Sequence, residues 1–256
     1  GDGRGRYCRG VLSLPAHRRA TGWPVVTADQ LEVLPDSTVR AYRLVHSKFP
    51  PIAIFEDVAS AEEFEQLYAL QSLTNPRMLS QAGSLEMLPR GDIPFGIQGC
   101  SYATAPFTHV NPEGSRFSDG SFGMLYLGDS METAIAEVRY HQQAYWSKVP
   151  DLRYERFVFR GLTARFNEAG TLDALAVPRK DPIYAPSDYS ASRALGRSSL
   201  EAKATALRFH SVRQPEGICW GLFTPRLVKS VVQTAHYEMI WSGEIAAVHK
   251  LSTHIG

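Results

Sequence analysis

Apolar positions change their spacing several times along this chain, and each change marks a predicted element. Residues 40–46 alternate, with Tyr42, Leu44 and His46 on one face and Ala41, Arg43 and Val45 on the other. This predicts a strand that carries Arg43 inward. Ser60-Ala61-Glu62-Glu63 is a capping box opening a helix whose stripe is Phe64, Leu67, Tyr68 and the residues to Leu73, stopped by Asn75-Pro76. From Arg77 to Gly114, Gly and Pro recur without a period, which predicts loop with at most short strands or turns. A loop of that length in a compact domain is typically functional, and an overhang above a binding cleft is expected.

Residues 121–127 predict a strand, and Gly128-Asp129-Ser130 turns it into a helix capped by Asp129 or Ser130. Met131, Ala134, Ile135 and Val138 follow at helical spacing and form its buried stripe. Glu137 falls roughly 110° from the centre of that stripe, on its margin, where a carboxylate looks along a cleft. Residues 154–160 predict another strand, and residues 188–208 predict two short helices broken near Gly196. Four β-rich runs follow, at 218–223, 228–234, 237–241 and 246–251. Strands and helices do not alternate regularly and the last third is a cluster of strands, so the expected class is α+β.

Composition adds exclusions. The 256 residues, 44% hydrophobic and 21% charged with 20 Gly and 16 Pro, are those of a globular chain, not of a collagen, coiled coil or disordered polymer. Residues 1–36 mix Arg, Gly and Pro without periodicity and read as a flexible N-terminal segment or, since the first residue is Gly, a fragment end or tag remnant. Residues 37–256 read as one domain. A formal charge of +1 offers no global field for nucleic acid or an anionic membrane, and no apolar run approaches the ~20 residues of a span. Three scattered cysteines, Cys8, Cys100 and Cys219, show no metal-ligand spacing, so a reduced, cytoplasmic protein without metal is expected. Cys219, in an apolar strand, reads as a buried structural thiol.

The residues that carry chemistry are Gly114-Ser115-Arg116-Phe117-Ser118-Asp119-Gly120, then Leu125-Tyr126-Leu127, then Glu132 to Glu137. Tyr42-Arg43-Leu44 stands upstream and Arg208-Phe209-His210-Ser211-Val212-Arg213 downstream. Over roughly residues 40–250 this order resembles the RES-domain toxins, named for their Arg, Glu and Ser. The tyrosine eleven residues before the glutamate is part of the resemblance. One departure is that many relatives have Gly-Arg-Trp-Asn where this chain has Ser115-Arg116-Phe117-Ser118.

The resemblance implies an ADP-ribosyltransferase-like fold, a mixed or antiparallel β core flanked by helices, that takes NAD+ as substrate. It also implies the toxic half of a bacterial toxin–antitoxin pair, with a small helical DNA-binding antitoxin as partner. It carries over to Arg43, Arg116, Tyr126, Glu137 and Ser211. Breaking the nicotinamide–ribose bond passes through an oxocarbenium-like state. Glu137 would stabilise that cation, Arg43 and Arg116 would grip the pyrophosphate bidentately, and Tyr126 would offer its ring to the nicotinamide. Ser211 would either bind the carboxamide or orient Glu137. A protein side chain, water or phosphate would accept the ADP-ribose, and residues 50–111 would supply a docking surface for a protein acceptor. The rival reading is a catalytically idle module that holds a nucleotide or an antitoxin segment. The Gly-rich run 114–123 fits neither a Walker loop nor a dinucleotide fingerprint.

Overall fold

A computed structural model describes residues 25–48, 60, 62–65 and 85–251. Its strands are β1 (Glu32–Val33), β2 (Thr38–His46), β3 (Leu125–Gly128), β4 (Glu155–Asn167), β5 (Thr171–Asp173), β6 (Ala206–His210), β7 (Ile218–Leu222), β8 (Val228–Trp241) and β9 (Ile245–Leu251). Three α-helices pack on its strands: α1 (Cys100–Thr108), α2 (Met131–Trp146) and α3 (Ser190–Glu201). The strands form one sheet in the order β1-β5-β6-β7-β3-β2-β4-β8-β9. All neighbours are antiparallel except β5 and β6. The architecture is α+β, with a mixed, mostly antiparallel sheet.

Side-chain alternation assigns the helices to faces. Ala41, Leu125, Leu127, Leu162, Ala164 and Trp220 pack with Cys100, Ala103 and Phe107 of α1 on one face. On the other face, Leu44 and Phe159 pack with Met131, Ile135 and Val138 of α2. Leu207, Phe209 and Cys219 point to this same side and pack with Leu195 of α3 and Phe117. Helices α2 and α3 therefore share a face, over opposite halves of the sheet. Between those halves β2 and β3 pair at a single position, Tyr42 with Gly128.

Ser130 is the cap of α2, accepting from the Thr133 N–H at 3.1 Å. Ser60 accepts from the Glu63 N–H at 3.2 Å and Phe64 is buried, as the capping box requires. The rest of that expected helix, to Leu73, lies outside the described residues.

Several expectations need correction. The stretch 77–114 contains α1, whose buried Cys100, Ala103, Thr104 and Phe107 repeat at i, i+3, i+4 and i+7. Pro106 inside the helix and the small residues around it hide this period. Residues 121–124 precede the strand instead of opening it, because Asp119 Oδ1 accepts from the Ser121 N–H at 3.1 Å and its hydroxyl at 2.6 Å, holding a turn. The runs 228–234 and 237–241 are one strand, β8, with a bulge against β4 between Arg160 and Leu162 that bends the strand without ending it.

The break expected near Gly196 is absent: α3 runs through it. Gly196 is there for contact, since a Cβ at this position would lie 1.8 Å from the Phe117 carbonyl oxygen. The second expected helix is instead strand β6, whose Leu207 and Phe209 alternate with Ala206 between the two faces.

Alanine at an ordinary helix glycine stabilises by about 0.5–1 kcal/mol. Gly196→Ala should do the reverse, destabilising by about 1–3 kcal/mol because α3 must lift from the loop below it. Urea denaturation checks this; a midpoint at or above wild type would contradict the contact.

Candidate active site

Tyr126 organises the seam between the half-sheets. Its ring lies on the α2/α3 face, half-buried, and its hydroxyl shares a hydrogen bond with Ser115 Oγ at 2.8 Å. The same oxygen accepts from the Phe117 N–H at 3.1 Å. Burial pushes the phenol up to about 12, against the opposing pull of the Ser115 bond. Tyr126 thus fixes the loop that carries Arg116.

Helix α3 holds that loop from the other side. Ser192 Oγ donates to the Arg116 carbonyl at 2.6 Å, and Arg193 donates to the carbonyls of Ser115 at 3.0 Å and Glu113 at 2.8 Å. Arg197 pairs with Asp119. Phe117 is fully buried, edge-on to Phe209 at 4.7 Å. Ser118 closes the turn, its hydroxyl donating to the Phe122 carbonyl at 2.5 Å and accepting from the Gly120 N–H at 3.1 Å. Phe117-Ser118 therefore builds a rigid loop.

Arg116 is 8% exposed, and its Nη1 donates to the carbonyls of Ile183 at 3.2 Å and Ala185 at 2.9 Å. Its guanidinium lies 4.6 Å from the Tyr189 ring centroid. Burial lowers its pKa, an effect that Tyr189 and Glu137 offset and Arg213 reinforces. Arg116 and Glu137 thus act on each other electrostatically.

Glu137 is half-buried on α2, as its position on the margin of the apolar stripe predicts. Ser211, 2% exposed and just past β6, donates its hydroxyl to Glu137 Oε1 at 2.6 Å. The Ser211 oxygen accepts from the N–H groups of Arg213 at 3.1 Å and Gln214 at 2.9 Å, which leaves its proton for the carboxylate. This bond is the contact that an orienting role for Ser211 requires. Beside Ser211 is a cavity of about 140 Å³ lined by Arg179, Tyr184, His210, Ser211 and Val212.

Arg43 is placed differently. It stands opposite Leu162 on β4, on the α1 face, flanked by Ala41. Its Nη1 donates to the Tyr126 carbonyl at 2.9 Å across the seam. Desolvation pulls its pKa down to about 10, since no carboxylate pairs with it among the described residues. The structure brings Arg116, Tyr126, Glu137 and Ser211 together and ties Arg43 to them only through the backbone of Tyr126.

The RES domain family matches residues 93–242, more than half of the chain. The chain belongs to the RES-domain family. Arg116, Tyr126, Glu137 and Ser211 all lie inside the matched part of this RES domain, whereas Arg43 precedes it. A relative from Sinorhizobium fredii (strain NBRC 101917 / NGR234), the uncharacterized protein y4oC, is 31% identical over 204 residues, which is 79% of this chain and 83% of the relative. Among solved structures, a chain of the M. tuberculosis MbcT–MbcA toxin–antitoxin complex is similar at 16% identity and a TM-score of 0.37, over 48% of this chain and 73% of that one.

Sequence reading missed the supports of this RES site. Ser192, Arg193, Gly196 and Arg197 repeat at helical spacing and make one loop-binding face of α3, which an interrupted helix concealed. Tyr140, one turn after Glu137, was likewise unassigned; Arg213 stacks on its ring, 3.2 Å from the centroid. Among the described residues no three His, Cys, Asp or Glu side chains converge as metal ligands, and no helix is long and apolar enough to cross a membrane. Cys100 and Cys219 are buried, and burial pushes the Cys219 thiol up.

Tyr126→Phe should destabilise by about 1–3 kcal/mol, because the buried Phe117 N–H loses its acceptor. A double-mutant cycle with Ser115→Ala should return a coupling of about 1 kcal/mol. Strict additivity in urea denaturation would mean that the two hydroxyls do not interact.

Proposed function

We propose that this RES domain is the toxin of a toxin–antitoxin pair and cleaves the nicotinamide–ribose bond of NAD+. The observation that carries the reading is the Glu137 carboxylate, aimed by the Ser211 hydroxyl at 2.6 Å beside the buried, desolvated Arg116. A carboxylate fixed by a donor stabilises a developing cation without reorganising, and a half-buried setting strengthens the effect over that in water. Arginines without acid partners suit the phosphates of a dinucleotide.

In the proposed reaction the C–N bond breaks with its electron pair leaving on nicotinamide. Positive charge develops at the ribose anomeric carbon, next to Glu137. The acceptor, a protein side chain, water or phosphate, then adds its own electron pair to that carbon and loses a proton. Arg116 would hold the pyrophosphate, and the desolvated Arg43 would add the donors it does not give to the Tyr126 carbonyl. Tyr126 is used twice as a support, by hydroxyl and by carbonyl, so its ring alone is left for the nicotinamide.

The partner of such a domain is an antitoxin that covers the cleft, in keeping with the family resemblance. A binding-only reading draws on the departure at Phe117-Ser118, and those two residues form a well-held loop.

Glu137→Gln keeps the volume and an acceptor for Ser211 but removes the charge. NAD+ cleavage should fall by roughly 10²-fold or more, with the melting temperature close to wild type. Chromatographic assay of released nicotinamide checks this, and unchanged turnover would refute the role of Glu137.

A further inference from the structure

A second arginine shares the cleft with Arg116. The carbonyls of the segment 183–186 run past both guanidinium groups: Ile183 and Ala185 accept from Arg116, and Pro186 accepts from Arg213 Nη2. The Tyr140 hydroxyl also donates to Pro186 O, at 3.3 Å. The Arg213 guanidinium carbon lies 3.2 Å from the centroid of the Tyr140 ring. Two routes therefore register Arg213 against Glu137. One is α2, which carries Glu137 and Tyr140 a turn apart; the other is the turn in which Ser211 bonds both Glu137 and the Arg213 N–H.

Neither Arg116 nor Arg213 forms an ion pair among the described residues. Arg213 Nε is buried without a hydrogen-bond partner. Among the described residues, Nη1 of Arg213, and Nε and Nη2 of Arg116, are likewise given no acceptor. Two cations of the same sign held side by side with spare donors repel each other, and Glu137 supplies one negative charge against them. The arrangement is neutralised by an anion that offers several oxygens, and a guanidinium fork matches a phosphoryl group.

We propose that Arg116 and Arg213 together form a paired guanidinium grip for a phosphoryl group in the Glu137 cleft. This rests on the reading of the cleft as a dinucleotide site, and it adds Arg213 to the residues that touch substrate. The phosphoryl group belongs either to the pyrophosphate of the dinucleotide or to free phosphate acting as acceptor.

Calorimetric titration of the intact protein with ADP-ribose, inorganic phosphate and, as a phosphate-free control, adenosine tests the grip. Wild type should bind at least one of the two phosphoryl ligands with an affinity that falls as salt is raised. Arg213→Gln should weaken that ligand on the order of tenfold, with Arg213→Lys in between and adenosine unaffected. Binding of ADP-ribose alone assigns the grip to the pyrophosphate, and binding of inorganic phosphate alone assigns it to an acceptor. Unchanged affinity in Arg213→Gln, or no salt-sensitive binding of either ligand by wild type, overturns the proposal; the second result needs no variant. NAD+ turnover run in parallel separates the two ideas. Phosphoryl binding without cleavage defeats the activity and leaves the grip, whereas cleavage with unaltered KM values for both NAD+ and phosphate in Arg213→Gln defeats the grip and leaves the activity.

Discussion

At the centre of the sheet the phenolic oxygen of Tyr126 holds Ser115 and the Phe117 N–H, while the carbonyl of the same residue accepts from Arg43. Each bond spans a place where regular pairing is missing. The hydroxyl replaces a ladder for the 113–120 loop, and the guanidinium crosses a seam where β2 and β3 share one register pair. A sheet opened at its middle strands leaves polar backbone facing protein, and such groups are costly unless paired. Arg43 pairs one of them, the Tyr126 carbonyl, and the Tyr126 hydroxyl pairs another, the Phe117 N–H. The position of Arg116 relative to Glu137 follows from that bond and from the grip of α3 on the other side of the loop.

Electrostatics in the cleft run against the composition of the whole chain. A formal charge of +1 spread over 256 residues conceals a cluster in which Arg116 and Arg213 both donate to carbonyl oxygens of the segment 183–186. Carbonyls orient a guanidinium without cancelling its charge, so the site keeps a positive pole beside the Glu137 carboxylate. Ser211 does the complementary work, turning its single proton to Glu137 after its oxygen has been filled by two backbone N–H groups.

Legibility in the sequence tracked how local each signal is. The strand at Arg43, the cap at Ser130 and the marginal position of Glu137 are set by spacing within a few residues, and they are seen as read. Gly196 misled because its reason lies at Phe117, far away in sequence: the residue that weakens a helix is there to admit a loop. Helix α1 was hidden by Pro106, and β6 by its adjacency to a helix, since burial on both faces erases the period that separates strand from helix. The ties from α3 to the Arg116 loop depend on tertiary contact, which no local window contains. For Ser211, spacing left two roles open, and its bond to Glu137 is a tertiary contact that no local window contains.

The strand order has a consequence for synthesis. β3, which carries Tyr126, lies between β2 from the start of the described chain and β7 from near its end, and β1 waits for β5. Neither half of the sheet is complete from a contiguous stretch of sequence, so the contacts that close it span long loops and form late. Glu137 is made well before Ser211, and β7, which flanks β3, is made later still. A ribosome-bound chain thus holds the carboxylate without its orienting hydroxyl or its finished sheet. Assembly of the cleft therefore waits for Ser211 and β7 to emerge, long after the carboxylate it orients.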